Sequence, residues 1–491
     1  MLHAYSPLNS EAWYVDAQSG QVFRKRGLMP FCGHTNHTHH ADCSHKARAF
    51  GAKRFGVEHT AKTQGCTAGT GTTTFNGSQT IYTDPDNGTY RLRDDCHDGW
   101  IWTRFYGDPI NNSNVTEFTD NNNIWTSAND EIGVTAHWGI RSSQDYFKFV
   151  HNRNGWNGSG QDIKVYCRRN FGDAQNPSSD ASFNNATQGY VLNAKIYFGH
   201  NFNNLASDDM TPLDIAGHEY AHGVTSSESG LVYEKESGAL NEGISDIFGE
   251  CIEQWKTGSH NNWWHGGERV NSGGFQIGGR NMQDPNAGIS QQQPDTYLGT
   301  NWVNTNCGSP DKSNDQCGVH TNSGVLNKAF FLMVDGESGV NDNGDPYEVQ
   351  GIGFSKARKI VYHAQMNYLT SHDEYVDARE AFIQSAEDFY GLCSNEAIQV
   401  AKAFYAVGVG SGSSSYDKKL CGIIIPSGSF SQVEGVRSIT SGGTNCTSSV
   451  TPNGSGFLFK AGLEVVFKDN FAAPVGSNIQ VITNDCSLTK D

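Results

Sequence analysis

The sequence His-Glu-Tyr-Ala-His occupies residues 218–222, at the start of the part of the chain with helical periodicity. Residues four apart on a helix lie on one face, so both imidazoles can hold a single metal ion. Thr211 offers a helix N-cap, and Pro212 suits the first helical position. Imidazole nitrogen suits zinc, and a catalytic zinc keeps one position open for water. Glu219 adjoins the first histidine, and its carboxylate would reach that open position.

A second helix supplies the third ligand. Its apolar residues recur at the spacing of one buried face. Glu242 lies off this apolar stripe, twenty positions after His222, and can turn towards the first helix. This predicts a zinc set of His218, His222 and Glu242. Asp246, one turn further on, is placed to accept the other ring N–H of a ligating histidine, which fixes the tautomer of that ring.

Composition and charge narrow the possible functions. The chain has 491 residues, a formal net charge of -17 and a mean hydropathy of -0.55. Such a balance predicts a soluble globular protein, and its negative charge argues against binding to nucleic-acid phosphate. A run of about 18 apolar residues, the length that spans a membrane, does not occur in the sequence.

The cysteines indicate the compartment. Twelve are spread singly from Cys32 to Cys486 without a CxxC pair, which predicts disulfide bonds in an oxidising environment. The first residues lack the basic and apolar regions of a signal peptide. We therefore expect a secreted, extracellular protein whose sequence begins downstream of a lost signal peptide; another export route is the alternative.

Changes in composition and hydrophobic periodicity divide the chain into segments and predict an α+β fold. The stretch from 67 to 210 is rich in Gly, Asn, Thr and aromatic residues and reads as strands and long loops. The next 200 residues are helical in pattern, with later helices at about 354–369, 374–390 and 395–406. The predicted domains are a first segment at 1–66, a β-rich lobe at 67–210, a helical lobe at 211–410, a flexible linker at 411–419 and a small all-β accessory module at 420–491.

These motifs resemble the thermolysin-like family of zinc metallopeptidases. The family's HExxH, nineteen intervening residues and NExxSD all occur, as does a Gly-Leu-Val-Tyr stretch at 230–233. Metzincins need Gly at 225 and His at 228, where this chain has Thr225 and Glu228. Zinc aminopeptidases have a gap one residue shorter and a GxMEN loop that is absent from this sequence. The resemblance covers about 67–410 and implies a zinc site between the β-rich and helical lobes.

The resemblance also implies roles for residues outside the zinc set. His320 matches the histidine that stabilises the oxyanion, and Asp315 would hold and charge its ring. Tyr233 matches the second oxyanion donor. Arg280 matches the arginine that binds the substrate carbonyl.

The substrate cleft follows the family less closely. The family pairs an edge strand beginning Asn-Ala with the substrate backbone; Asn185 and Ala186 are preferred here, and Asn193–Ala194 is the alternative. The family favours a bulky apolar residue just after the cut. Ile215 suits the wall of that pocket, but Gly279 stands where a larger side chain is usual, so we expect a wider pocket.

Family members often bind calcium near the second helix. Asp214, Glu253 and Glu268 are the candidate ligands here, and hard oxygen ligands suit this ion. Asn262 stands where a further acid is expected, which predicts one ion rather than two. The alternative is a solvated acidic patch.

The end segments and one cysteine pair complete the comparison. Residues 13–20 look like the end of the propeptide of these zymogens, so the segment at 1–66 would be a propeptide remnant and linker. The His-rich loop between Cys32 and Cys43 is either a disulfide-closed linker, the preferred interpretation, or a zinc site. A disulfide between Cys307 and Cys317 would brace the catalytic loop before the oxyanion histidine.

The sequence thus predicts a secreted, monomeric zinc endopeptidase that acts on protein or peptide substrates. It would cut on the amino side of bulky hydrophobic residues, with Glu219 as general base. Two alternatives stand beside it. One is a catalytically inactive homologue that serves in binding or adhesion, and the other is a zinc hydrolase of another class, such as an aminopeptidase.

Overall fold

A computed structural model forms two compact units, Met1–Gln64 and Gly65–Asp491. Backbone and side chains are described at 66–96, 99–172, 180–184, 194–199, 211–259, 263–267, 279–289, 292–391 and 394–410. Backbone alone is described for the strands within 2–27, 187–192 and 417–483.

The first unit contains a three-stranded antiparallel sheet. Its strands are β1 Leu2–Ser6, β2 Glu11–Val15 and β3 Val22–Gly27, in the order β1-β2-β3. The stretch at 13–20 that resembles the end of a propeptide begins within β2. The His-rich loop lies outside the described residues, and the propeptide assignment stays a prediction.

The first half of the second unit is built on two sheets. Its strands are β4 Thr67–Thr73, β5 Gly77–Asp86, β6 Thr89–Arg91, β7 Arg93–Asp94, β8 Ile101–Asp108, β9 Ser113–Glu117, β10 Thr119–Asp120, β11 Ile124–Trp125, β12 Ile163–Arg169, β13 Ala181–Asn184, β14 Thr187–Gln188, β15 Val191–Leu192 and β16 Ala194–Gly199. One sheet has the order β10-β6-β5-β4-β11. The other has the order β13-β16-β12-β8-β7, with β9 paired to β8, and β14 pairs with β15.

A long helix, α1 Glu131–His151, packs against these sheets. The prediction of strands and loops alone for this lobe is wrong at α1. The helix is buried almost all round, so polar residues face inward as well: His137 bonds Thr103 at 2.8 Å, and Arg141 lies 3.4 Å from Asp94. The first half of α1 is rich in glycine and β-branched residues, whose low helix propensity favoured the prediction of strands and loops.

The second lobe is mainly helical, and the predicted α+β class is confirmed. Its elements are α2 Leu213–Ser227, α3 Lys235–Thr257, β17 Trp264–His265, β18 Arg280–Asn281, α4 Asp315–Asn322, α5 Gly324–Val334, β19 Gly336–Val340, β20 Pro346–Gln350, α6 Phe354–Asn367, α7 Tyr375–Tyr390 and α8 Asn395–Ala406. Short 3-10 turns occupy Pro285–Ala287 and Lys312–Asn314. The three late helices predicted from sequence are confirmed as α6, α7 and α8. The cap before α2 is Pro212 rather than Thr211, because Pro212 keeps an extended ψ of 155°.

Two glycines let α2 and α3 approach closely. A Cβ on Gly217 would lie 3.1 Å from the Cα of Gly249 and 2.9 Å from the side chain of Ile252. Helix α3 is buried on all sides from Glu236 to Glu253, so the polar face expected around Glu242 is not exposed to solvent. Close backbone contact at these glycines brings polar side chains of the two helices together inside the protein.

The last nine described strands are β21 Asp417–Leu420, β22 Ile424–Ile425, β23 Phe430–Gly435, β24 Ser438–Ser441, β25 Ser448–Val450, β26 Gly456–Ala461, β27 Glu464–Phe467, β28 Phe471–Ala472 and β29 Asn478–Thr483. They form three parallel sheets of three strands, with the orders β21-β24-β27, β22-β25-β28 and β23-β26-β29. The accessory module and the domain boundaries stay predictions. Within the described part of the chain, we find no helix long and apolar enough to cross a membrane.

Candidate active site

Three donor groups converge where α2 packs against α3. The Nε2 atoms of His218 and His222 are 2.9 Å apart. Glu242 Oε2 lies 3.4 Å from the first of these nitrogens, and Glu242 Oε1 lies 3.4 Å from the second. Ligands bound at about 2.1 Å to one tetrahedral ion are separated by about 3.4 Å. The size of this triangle and its two imidazoles and one carboxylate therefore fit a single zinc ion.

The distal ring nitrogens of both histidines have partners on α3. His218 Nδ1 lies 2.7 Å from Asp246 Oδ1, and His222 Nδ1 lies 2.8 Å from Asn241 Oδ1. Such partners leave each Nε2 available to a metal. Burial opposes charge on His218, but Glu242 and Asp246 outweigh it and raise its pKa to about 10. A metal that binds here must therefore displace a proton from His218.

Glu219 lies beside this set and carries an unsatisfied polar atom. It is 4% exposed, and its Oε2 has no hydrogen-bond partner among the described residues. Burial, above all, raises the pKa of Glu219 to about 7. A carboxylate whose pKa lies near neutrality can both take and return a proton at physiological pH.

Across the cleft stand the side chains matched to oxyanion stabilisation. Tyr233 Oη lies 2.9 Å from His320 Nε2 and also donates a hydrogen bond to Glu242. Asp315 accepts from His320 Nδ1 at 2.5 Å and from the backbone N–H of His320 at 3.0 Å. Burial opposes charge on His320, but Glu242 and Asp315 raise its pKa to about 9. Two donors thus face the space beside the zinc set.

The loop that carries His320 has an unusual backbone. Asp315, Gln316 and Cys317 have φ values of 55°, 50° and 67°, in the left-handed region that non-glycine residues seldom adopt. The disulfide expected between Cys307 and Cys317 is present and ties this turn to the preceding loop. A second disulfide joins Cys66 to Cys96. The prediction of disulfide bonds is wrong for Cys167 and Cys251, which are thiols buried in the core.

Family models match most of this unit. Residues 68–226 match the thermolysin metallopeptidase catalytic domain, and residues 229–409 match the thermolysin metallopeptidase alpha-helical domain. The chain belongs to the thermolysin metallopeptidase family. The resemblance seen in the sequence is confirmed, and the family implies zinc at the His-His-Glu set.

Individual relatives agree with this membership. The chain is 40% identical over 199 residues to a thermolysin of Alicyclobacillus acidocaldarius subsp. acidocaldarius, an alignment that covers 40% of this chain and 33% of the relative. It is 30% identical over 403 residues to a bacillolysin of Bacillus cereus, covering 81% of this chain and 63% of the relative. It is 38% identical over 220 residues to a zinc metalloproteinase of Renibacterium salmoninarum, covering 43% and 38%. The chain thus spans about a third of the length of the thermolysin.

Arg280 of this thermolysin-family protein lies at the wall of the same cleft. Its Nε donates to Asp246 Oδ2 at 2.8 Å, and a terminal nitrogen donates to Asp246 Oδ1 at 2.5 Å. Asn327 donates to the same carboxylate at 2.8 Å. Asp246 therefore contacts both Arg280, the arginine matched to substrate binding, and His218 of the zinc set.

The cleft has a volume of about 670 Å³ and is lined by all the residues predicted for zinc binding and catalysis except Asp315 and Asp246. These two carboxylates contact lining residues instead: Asp246 lies beside His218, and Asp315 beside His320. One wall is the edge strand β13, through Ala181 and Phe183. Asn185 and Ala186, the predicted substrate strand, lie outside the described residues, as does Asn193. Ile215 and Gly279 both line the cleft. Gly279 has φ 116°, so glycine is favoured there by the backbone.

The structure describes two of the three predicted calcium ligands, Asp214 and Glu253, and both are buried. Asp214 is buried and accepts from the backbone N–H groups of Ile215 at 2.7 Å and Gly266 at 2.5 Å. Among the described residues, Asp214, Glu250 and His265 each place one possible ligand atom within 4.8 Å of the other two. Glu253 is buried one turn further along α3, and Glu268 and Asn262 lie outside the described residues. The calcium set stays a prediction.

Two residues of this region were missed by sequence reasoning. Asn241 directly precedes Glu242, and its position in the motif could have suggested its bond to His222. His265 comes from β17, and its Nε2 lies 3.3 Å from Asp246 Oδ1. Only the tertiary fold brings it there, and no spacing in the sequence signals it.

Proposed function

We propose that this chain is a zinc-dependent endopeptidase that hydrolyses internal peptide bonds. The observation that carries the proposal is the convergence of His218, His222 and Glu242 on one point beside the unsatisfied carboxylate oxygen of Glu219. Inactive homologues lose a ligand or the base, whereas here all of these groups are present and line one cleft.

The side chains divide the chemistry between them. When bound to the His-His-Glu set, zinc polarises the scissile carbonyl and lowers the pKa of a water molecule. Glu219 accepts the proton of the attacking water and delivers it to the departing amine nitrogen. His320 and Tyr233 donate hydrogen bonds to the oxyanion as its charge develops. Asp315 orients the His320 ring and favours its charged form.

Substrate binding would use the cleft wall and one pocket. The terminal strand β13 can pair with an extended peptide backbone, and Asn185 and Ala186, the next residues in the sequence, stay the predicted pairing residues. Arg280, fixed by Asp246, would hold a substrate carbonyl. Ile215 and Gly279 would border the pocket for a bulky hydrophobic residue just after the cut, which places cleavage on the amino side of such residues.

Secretion, zymogen processing and calcium binding belong to the same proposal. The disulfides Cys66–Cys96 and Cys307–Cys317 support folding in an oxidising compartment. Calcium bound near Asp214 would offset the charge of buried carboxylates on α2 and α3.

Casein digestion with and without a zinc chelator tests the function, with cleavage sites mapped by mass spectrometry. We expect internal cuts that chelation abolishes and added zinc restores. The matched variant is Glu219→Gln, which keeps the shape of the side chain but cannot accept the proton. It should lose turnover while its zinc content stays at one ion per chain.

Each other result would identify an alternative. Trimming from the substrate amino terminus alone would indicate an aminopeptidase. Stoichiometric zinc without any cleavage by the wild-type chain would indicate an inactive binding homologue. Undiminished cleavage by the Glu219→Gln variant would refute the assigned mechanism.

A further inference from the structure

The outer surface of the six-stranded sheet carries a cluster of cations and aromatic rings. On β8, Thr103 points inward to α1, and Arg104 points outward. Pairing with β12 and β16 sets Tyr166 opposite both Arg104 and Tyr197, and Lys164 opposite Lys195. We call Arg104, Lys164, Arg169 and Lys195, with the rings of Tyr166 and Tyr197, the basic aromatic face.

The described carboxylates form no ion pair with the four cations of this face. The chain as a whole has a net charge of -17. Glu117 on β9 stands opposite Arg104, but its ion pair among the described residues is with Arg91, at 3.6 Å. Lys164 and Lys195 stand directly opposite each other on neighbouring strands. Like charges at opposite positions destabilise a sheet, so the arrangement carries a cost that a bound anion would remove.

A backbone irregularity adds the fourth cation. The register between β12 and β16 shifts between Tyr166 and Arg169, and Arg168 has φ 61° in the left-handed region. A bulge of this kind redirects the side chains that follow it. Here it brings the Arg169 guanidinium over the Tyr197 ring, 4.1 Å from its centroid.

The rings of the face are stacked on one another and on guanidinium groups. Tyr166 and Tyr197 stack with centroids 5.3 Å apart, and the Arg104 guanidinium lies 4.9 Å from the Tyr166 ring and donates to its hydroxyl at 2.6 Å. Single-stranded nucleic acids bind by stacking bases on open aromatic faces. These ring faces are occupied, so what the surface offers is a rigid array of cationic N–H donors.

We propose that the basic aromatic face binds an acidic polysaccharide. Peptides dock into grooves or along unpaired strand edges, whereas these cations lie on β8, β12 and β16, each of which has a paired strand on both sides. Guanidinium and ammonium groups held on neighbouring strands match a polymer that repeats sulfate or carboxylate groups along its length. This surface is separate from the zinc cleft and would hold the protein on a charged matrix.

The test measures binding of the full chain to heparin, a sulfated probe, and to polygalacturonate, a uronate probe, at physiological ionic strength. The Lys164→Gln/Lys195→Gln double variant should bind its preferred polysaccharide at least about tenfold more weakly. Its casein hydrolysis should stay unchanged. Its Tm should be no lower than that of the wild type, because the substitutions remove a pair of like charges. Comparison of the two probes distinguishes a sulfate from a carboxylate ligand.

The control is Lys312→Gln/Lys359→Gln, which removes the same charge from exposed positions of the helical lobe. It should bind polysaccharide as the wild type does. Failure of the wild type to bind either probe would overturn the proposal, as would an equal loss of affinity in the control variant. Equal affinity for single-stranded DNA or polyglutamate would overturn the assignment to polysaccharide. None of these outcomes bears on the peptidase activity.

Discussion

The Nδ1 atom of His222 lies 2.8 Å from the side-chain oxygen of Asn241, the residue immediately before Glu242, the third proposed metal ligand. Asn241 also donates to the backbone carbonyl of Leu231 at 3.0 Å, so its oxygen is held towards the histidine ring. Asn241→Ala should weaken zinc binding about tenfold to a hundredfold, because His222 loses the partner that fixes its tautomer. Competition with a fluorescent zinc chelator measures the change.

Asn241→Asp is the matched control for this prediction. It keeps an acceptor oxygen for His222 but loses the donor to Leu231, so its zinc affinity should lie between those of the alanine variant and the wild type. If the alanine variant binds zinc as tightly as the wild type, Asn241 does not support His222, and Ser245, whose hydroxyl lies 3.1 Å from the same nitrogen, suffices.

Asp315 should control both the rate and its pH dependence through His320. Asp315→Asn removes one of the carboxylates that raise the pKa of His320, so that pKa falls. The charged donor is then lost at a lower pH, and the basic limb of the profile of kcat/KM should move towards acid. At the optimum, kcat/KM should fall about tenfold to a hundredfold. Asparagine tolerates the left-handed backbone of this position, so the fold should persist. An unshifted basic limb would show that another group titrates there.

Ile215 should set the size of the pocket after the cut. It is 7% exposed, lines the cleft and would meet a Cβ on Gly266 at 3.4 Å through its Cδ1 atom. Ile215→Phe would fill part of this space. The ratio of kcat/KM for substrates with phenylalanine and with alanine after the cut should fall about tenfold. Activity on the alanine substrate and zinc content serve as internal controls. A constant ratio would place the pocket elsewhere in the cleft.

The convergence of His218, His222 and Glu242 was predictable because its information is local. His218 and His222 are one helical turn apart, and Glu242 follows at a spacing that the family shares. His320 and Asp315 were likewise identified by a contiguous motif. The features that the sequence did not reveal depend on tertiary packing. His265 reaches Asp246 only because Gly249, where a Cβ would lie 2.8 Å from the His265 ring, leaves room for it.

Helix α1 was missed for a related physical reason. Its first half contains Gly133, Thr135 and Gly139, residues of low helix propensity, and tertiary packing overrides that local preference. In α1, the sheets cover one side and α2 the other: a Cβ on Gly139 would lie 2.8 Å from the Cβ of Ala216. Polar residues such as His137 find partners inside the protein, and close packing at Gly139 stabilises a helix that its local sequence disfavours.

His151, at the end of α1, should make the fold sensitive to acid. Its ring stacks on Tyr362 with centroids 4.0 Å apart, and its Nε2 lies 3.2 Å from the Tyr146 hydroxyl. Burial, followed by the nearby charges of Arg358 and Lys359, lowers its pKa to about 3. In the unfolded chain a histidine titrates near about 6.5. Protons therefore bind preferentially to the unfolded state between these values, and the stability present above about pH 6.5 is lost as pH falls towards 3.

The variant His151→Phe keeps the stacked ring but cannot take up a proton. Between pH 7 and 5, the wild type should lose about 2 kcal/mol more unfolding free energy than this variant, measured by urea denaturation at each pH. His372→Phe, at an exposed position, provides the control and should follow the wild type. Other buried histidines, including His137, contribute the same loss to both proteins and cancel in the comparison. Parallel pH dependence in the wild type and His151→Phe would show that His151 is already neutral in the unfolded chain or becomes charged without cost in the fold.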